Sequence, residues 1–350
     1  MPDKYLVRAP NWVGDTVMSL PFFASLRRNA GRDAVVACLC RSALAPLFRD
    51  VPEISQVIEL DESAGRNGWQ FIRLNAQRLR RHDFGTAFCL PTSFGSALML
   101  RLARVPRRFG HSAEGRRLLL TRSLPYGRNG YRPHRAEGFL SLLSLSWPNP
   151  ILERDLHFKP GDAARARVDA LLGEAKGALN SPALAIAPAA AQPNKMWLAQ
   201  RFAVIAARWT EEFHGHVVLV GSDSDRGLCE EIASLAVRHE IRNLAGEGDL
   251  PVAAEIIRRA GVFLGNDSGL AHLAAAVGTP CVVISGPGDP TEVAPFSPHA
   301  VTVRHPVFCS PCYKNSCWRK DKPLECLTEI GVDDVWQHIA AIPNILIERP

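Results

Sequence analysis

The sequence predicts an α/β protein of two domains, each built on a parallel sheet. Three observations carry this. Short apolar runs that end at Gly or Pro alternate with helical stretches, the pattern of βαβ units. Several runs, such as Ala34-Val35-Val36-Ala37-Cys38-Leu39-Cys40, are apolar without a break, as strands covered on both faces require. The alternation stops and then restarts within 350 residues, about two domains' worth of chain.

The elements follow in order. Residues 5–10 read as a strand stopped by Pro10, and Asn11-Trp12-Val13-Gly14-Asp15 as a tight loop. A helix is expected over 16–28, where Val17, Leu20, Ala24 and Leu26 roughly keep a 3.6-residue period. Residues 34–40, 57–60 and 86–91 read as further strands, with helical turns at 44–48 and 75–81. Residues 158–175 form a helix-rich bridge. The second set of strands is expected at 183–188, 216–221, 261–265 and 281–287, with helices at 199–212, 225–238, 250–260 and 269–277. The domains are placed at 1–165 and 180–330, with a linker at 166–179 and a closing helix in 331–350 that packs back.

Composition narrows the classes. With 47% hydrophobic and 22% charged residues the chain is not wholly disordered. No 18-residue stretch is free of charged and strongly polar groups, so no membrane-spanning helix is expected. The first dozen residues lack the basic and then apolar regions of a secretory signal, so the expected compartment is the cytoplasm. Charge is uneven: residues 1–160 hold 24 basic and 13 acidic side chains, and the remainder 17 and 22. From Arg101 to Arg135 there are ten arginines and one acid, Glu114. Such a field attracts anions: a phosphorylated substrate, an anionic membrane or nucleic acid. No zinc-finger spacing or RNP-like motif favours nucleic acid. The competing reading is an arginine-biased solvated face.

Ligands in open parallel sheets bind beyond the carboxyl ends of strands, and three motifs fall at such ends. Asp15 opens a helix, where it either caps the helix or offers a carboxylate to take a proton from a hydroxyl. Trp12 beside it reads as a packing wall. Lys195 ends a loop of small residues after a strand, either a plain surface lysine or a cation for a phosphate. Asn266-Asp267-Ser268-Gly269-Leu270-Ala271-His272 joins a buried strand to an Ala-rich helix. Ser268 and the first-turn amides suit phosphate oxygens there. Asp267 fits bracing or a nucleoside hydroxyl better than a diphosphate, and His272 is either a donor to phosphate or a satisfied core histidine. Gly286-Pro287-Gly288-Asp289-Pro290-Thr291 is a further tight turn. Of nine cysteines, Cys38, Cys40, Cys89 and Cys281 fall in apolar strands and read as inert core thiols. Cys309, Cys312, Cys317 and Cys326 leave two readings open: a metal or redox cluster, or unlinked thiols in a docking loop.

Three of these segments together resemble the ADP-heptose:lipopolysaccharide heptosyltransferases of glycosyltransferase family nine. They are Arg8-Ala9-Pro10-Asn11-Trp12-Val13-Gly14-Asp15, Lys195 before Trp197, and the Asn266–His272 motif. Leu90-Pro91-Thr92-Ser93-Phe94-Gly95-Ser96-Ala97 and Asn243-Leu244-Ala245-Gly246 are similar to further family segments, and the likeness spans about residues 5–330. The resemblance implies a GT-B fold of two facing Rossmann-like domains, with acceptor on the first and nucleotide sugar on the second. It implies Asp15 as general base and Lys195 as the lysine on the donor phosphates, with Asp267, Ser268, Gly269 and His272 at the donor site. Asn11, Trp12, Ser93, Arg107, Arg108 and Arg128 are the expected acceptor contacts. ADP-heptose is the implied donor, with no metal or other cofactor. The implied acceptor is phosphorylated Kdo–lipid A carrying the first heptose, reached by transient association with the cytoplasmic face of the inner membrane. The alternatives are a family member that adds the first or a later heptose, and a nucleotide-binding module without transfer activity.

Overall fold

A computed structural model describes residues 3–127, 132–173, 183–236 and 241–346. The chain divides into two compact units, Met1–Asp155 and Leu156–Pro350. In the first, β1 (Lys4–Arg8), β2 (Val35–Cys40), β3 (Gln56–Glu59), β4 (Thr86–Cys89), β5 (Arg107–His111) and β6 (Arg122–Leu124) form one sheet in the order β3-β2-β1-β4-β5-β6. In the second, β7 (Ala183–Ala187), β8 (His216–Leu219), β9 (Ile241–Asn243), β10 (Val262–Asn266), β11 (Cys281–Ile284) and β12 (Ala300–Val303) run β12-β11-β10-β7-β8-β9. Every pairing is parallel. The two orders are one topology used twice. In each unit the strand order reverses between the first and fourth strands, β1 and β4 or β7 and β10, and ligands of doubly wound sheets settle at that reversal.

Alternation along the strands builds two cores in the second unit. Leu184, Ile186, Val217, Leu219, Leu264, Val282 and Ile284 face one helical layer with Ile205, Trp209 and Ile339. Ala183, Ala185, Ala187, Val218, Phe263 and Val283 face the other, with Val168, Ile256 and Ile257. The closing helix, Val332–Leu346, belongs to the first of these layers through Val335, Trp336 and Ile339. In the first unit one face of the sheet packs on Phe71, Leu79 and Leu100. Edge-on contacts of Phe88 with Phe22 and with Phe109 join the other face.

Two boundaries differ from expectation. The units divide ten residues before residue 165, because the helix Asp162–Leu172 buries Ala164, Val168 and Leu172 in the second core. The amide of Phe158 also donates to Ala276 O at 2.8 Å, so residues 158–172 belong with the second sheet. The expected helix 16–28 is two helices, Val13–Met18 and Leu20–Ala30. They break at Ser19, where Pro21 starts the second helix without needing a backbone donor. Among the described residues no helix is long and apolar enough to cross a membrane.

Candidate functional site

At the first reversal, β1 ends in Arg8, whose side chain is buried and turns under the loop that follows. Its guanidinium donates to Ala9 O, to Asn11 Oδ1 at 2.5 Å and to Leu39 O at 3.5 Å. Burial pulls its pKa down from the usual arginine value. Arg8 thereby fixes the turn and the Asn11 side chain. Trp12 then occupies the N-cap position of Val13–Met18 and is 64% exposed. The expected packing wall is therefore absent, because the cap position turns this ring outward.

Asp15 is not the cap of that helix but its third residue. Its carboxylate stands 3.6 Å from Nε of Arg135, and both side chains are about one-quarter exposed. On the other side of the reversal, Ser93 is the N-cap residue of the helix Phe94–Leu102, and its Oγ bonds Ser96 Oγ at 2.8 Å. Arg116 braces this loop from below. It is fully buried and donates to Pro91 O, to Ser93 O at 3.3 Å and to His111 O at 2.7 Å. It fits because residue 110 is glycine: a Cβ there would lie 3.2 Å from the Arg116 guanidinium and 2.9 Å from Cys89 O. Asn11, Trp12, Asp15 and Ser93 thus share one edge of the first sheet.

Arg107 and Arg108 do not join them. They begin β5, pairing with Thr86 and Ala87 at the amino end of β4. At 3.3 Å per residue that is roughly 13 Å from the carboxyl end of β5. Arg108 is also occupied by Leu119 O at 2.8 Å, Pro106 O at 3.1 Å and Val105 O at 2.5 Å. Their expected place beside the other acceptor contacts is corrected accordingly: the strand direction sends them to the opposite edge. Arg128 lies outside the described residues.

At the second reversal, Lys195 and Asp267 meet. Lys195 Nζ is 2.8 Å from Asp267 Oδ2, with the lysine 27% and the aspartate 9% exposed. Asn266, the last residue of β10, straps the two loops together. Its Nδ2 donates to Pro188 O at 2.6 Å, and its Oδ1 accepts from Trp197 N at 2.9 Å. Trp197 is buried, with Nε1 donating to Ile330 O at 3.0 Å. Asp267 is therefore the counter-ion that aims Lys195, a role its place in the motif did not reveal. Ser268 stands at the N-cap of the helix Gly269–Ala276 but makes no side-chain cap bond. Its buried Oγ has no hydrogen-bond partner among the described residues. The helix start adds free amide donors and the positive end of its dipole. His272 is buried one turn further in. Gly288 closes the site from the next loop, since a Cβ there would fall 3.0 Å from Asp267 Oδ2.

The cysteine-rich segment packs on these loops. Cys312 N and Tyr313 N donate to Pro287 O, at 3.0 and 3.3 Å. Asn194 Nδ2 donates to Lys314 O at 2.7 Å, and Gln192 Nε2 to Asn315 Oδ1 at 2.8 Å. It therefore braces the loop that carries Lys195. Cys309, Cys312, Cys317 and Cys326 line one small pocket and are not disulfide-bonded, and burial pushes the Cys326 thiol up to about 11. Among the described residues no group of three or more His, Cys, Asp or Glu is arranged to hold a metal ion. Cys38, Cys40, Cys89 and Cys281 are buried core thiols, as their strands imply.

Each sheet edge offers its own chemistry, the first a carboxylate and the second an ammonium held at a helix start. Residues 72–322 match the family described as glycosyltransferase family 9 (heptosyltransferase). The chain belongs to glycosyltransferase family 9. This family 9 chain is 30% identical over 313 residues to lipopolysaccharide heptosyltransferase 2 of Salmonella typhimurium, covering 86% of this chain and 88% of that protein. Among solved structures it matches the ADP-heptose lipopolysaccharide heptosyltransferase II of E. coli, with TM-score 0.79 and 25% identity over 98% of this chain and 99% of that one. A family 9 glycosyltransferase of Veillonella parvula matches in fold, with TM-score 0.83 and 20% identity over 99% of this chain and 98% of that one. This family 9 enzyme is thus a glycosyltransferase with the GT-B architecture, two Rossmann-like units in series.

Proposed function

We propose that this enzyme transfers L-glycero-D-manno-heptose from ADP-heptose to the first heptose of phosphorylated Kdo–lipid A, with inversion. The observation that carries this reading is the Lys195–Asp267 pair at the second reversal, beside the unpartnered Ser268 Oγ and the start of Gly269–Ala276. This is a cradle for a leaving diphosphate. The names of the relatives above support ADP-heptose as the donor and lipopolysaccharide as the acceptor class.

In this reading an acceptor hydroxyl oxygen attacks the anomeric carbon of the donor while the bond from that carbon to ADP breaks. The hydroxyl proton passes to Asp15, and the electron pair of the broken bond leaves with ADP. Lys195, the Ser268 hydroxyl and the first amides of Gly269–Ala276 stabilise the charge that develops on the diphosphate. His272 adds a donor from the same helix, and Asn11 and Ser93 contact the acceptor. The cation at the diphosphate is Lys195, so no step is assigned to a metal or another cofactor.

The acceptor is a lipid, so the enzyme acts at the cytoplasmic face of the inner membrane and binds it peripherally. Arg101, Arg104, Arg107, Arg117, Arg122 and Arg132 are exposed, and each basic group near an anionic surface contributes about 1 kcal/mol. Nucleic acid has no part in this reading.

Mass analysis of defined core lipids after incubation with ADP-heptose tests the assignment. One heptose is expected on the acceptor that already carries the first heptose. Gain only on the acceptor lacking it, or only on a longer core, would assign the enzyme to another step; no gain on any acceptor would overturn transfer.

A further inference from the structure

Arg135 touches the proposed base and has no part in the mechanism above. It is the first residue of the helix Arg135–Ser141, which His134 caps by accepting from Ala136 N at 3.3 Å. Its Nε stands 3.6 Å from Asp15 Oδ1, close enough for strong attraction but too far for a direct hydrogen bond. That buried Nε makes no hydrogen bond among the described residues. The guanidinium lies over the ring of Tyr126, 5.5 Å from its centroid. Tyr126 is itself seated edge-on against His111, with centroids 5.0 Å apart, and His111 Nε2 is 2.9 Å from Gly138 O on the Arg135 helix. Gly138 admits the Tyr126 ring, since a Cβ there would stand 3.2 Å from it. The aromatic platform fixes where Arg135 sits, while the contact with Asp15 stays loose.

A guanidinium held this way has two uses. It favours the ionised form of the neighbouring carboxylate, and a proton acceptor must be ionised. It also binds an arriving phosphate or carboxylate bidentately. We propose that Arg135 is a positioning residue that aligns the Asp15 carboxylate, keeps it ionised and recognises an anionic group of the acceptor. This rests on the reading of Asp15 as the base.

The test is transfer kinetics of wild type, Arg135→Gln and Arg135→Lys against pH, with a phosphorylated acceptor and its dephosphorylated form. In Arg135→Gln the acid limb of the kcat profile moves to higher pH by about half a unit to one unit. The acceptor KM rises about tenfold and preference for the phosphorylated acceptor falls, while ADP binding is unchanged. Arg135→Lys keeps the acid limb, because the charge remains, but loses most of the preference, because an ammonium cannot bind bidentately. If preference lies instead with the acceptor carboxylate, the KM effect persists on both acceptors and disappears with a carboxyl-reduced one.

A wild-type acid limb and wild-type acceptor KM in Arg135→Gln would overturn the inference. Should that variant fail to fold, Arg135→Lys decides: an unchanged KM and preference overturn it, and their loss with kcat retained supports it. Asp15→Asn separates this inference from the reading beneath it. Full turnover there removes the base and with it Arg135's role. No turnover there, with wild-type Arg135 variants, defeats the role of Arg135 alone.

Discussion

The two sheets share one strand order, yet their reversals carry opposite chemistry. At the first, an acid is attended by an arginine at 3.6 Å, and both remain about one-quarter exposed. At the second, a lysine is pinned by an acid at 2.8 Å, and that acid is nearly buried. The loose pair leaves a carboxylate able to take up a proton. In the proposed mechanism the tight pair holds a cation where negative charge collects. Topology chooses where a site lies, and the tightness and sign of one ion pair choose what the site does.

The largest effect that sharpens this contrast is at Asp15. Asp15→Ala is expected to lower kcat by roughly a thousandfold while ADP binding measured by calorimetry stays at the wild-type value. Next comes Lys195→Ala, expected to lower transfer by about a hundredfold and to weaken ADP as well. Asp267→Asn frees the ammonium instead of removing it, so a loss of about tenfold is expected; a loss equal to that of Lys195→Ala would show that the carboxylate does more than aim the lysine. Asn194→Ala removes the bond from the lysine loop to Lys314 O. At about 1 kcal/mol for such a bond, ADP affinity falls about fivefold, and an unchanged affinity would show that the cysteine-rich segment does not brace the donor loop.

The smallest effect concerns pH. Burial holds the His111 pKa below the ordinary value of 6.5, and its ring bonds Gly138 O. A carbonyl only accepts, so Nε2 carries the proton of a neutral ring. Below pH 6.5 the unfolded chain binds a proton that the folded chain resists. His111 stability is therefore present in full above pH 6.5 and is lost as pH falls toward the folded value. Melting temperatures of wild type should drop over that window, and those of His111→Gln should drop less; parallel curves would refute the assignment.

The central strands were legible because burial on both faces writes itself as apolar runs: β1, β2, β4, β7, β8, β10 and β11 all answer to one. The edge strand β3 was also expected, but others at or near the edges were not. β5 (Arg-Arg-Phe-Gly-His), β6 (Arg-Ser-Leu) and β9 (Ile-Arg-Asn) are short and charged, and only pairing with a neighbour makes them strands. At the site, Asp15, Lys195, Asp267, Ser268 and Gly269 stood out because each falls where an apolar run gives way to a helix. Arg135 did not, because its link to Asp15 spans 120 positions of sequence and depends on how the helix Arg135–Ser141 packs. Arg116 is one of the ten arginines of the 101–135 run, yet it is buried, and Gly110 in β5 leaves the space that holds it. A run of arginines reports its charge but not which guanidinium is turned inward.

The central claim is that the first edge supplies the base and the second holds the donor. Single-turnover transfer by Asp15→Asn, with ADP-heptose saturating and acceptor in excess, tests it most directly. The variant should bind ADP as wild type does and form product at no more than about one-hundredth of the wild-type rate. Product formation at the wild-type rate would contradict the claim.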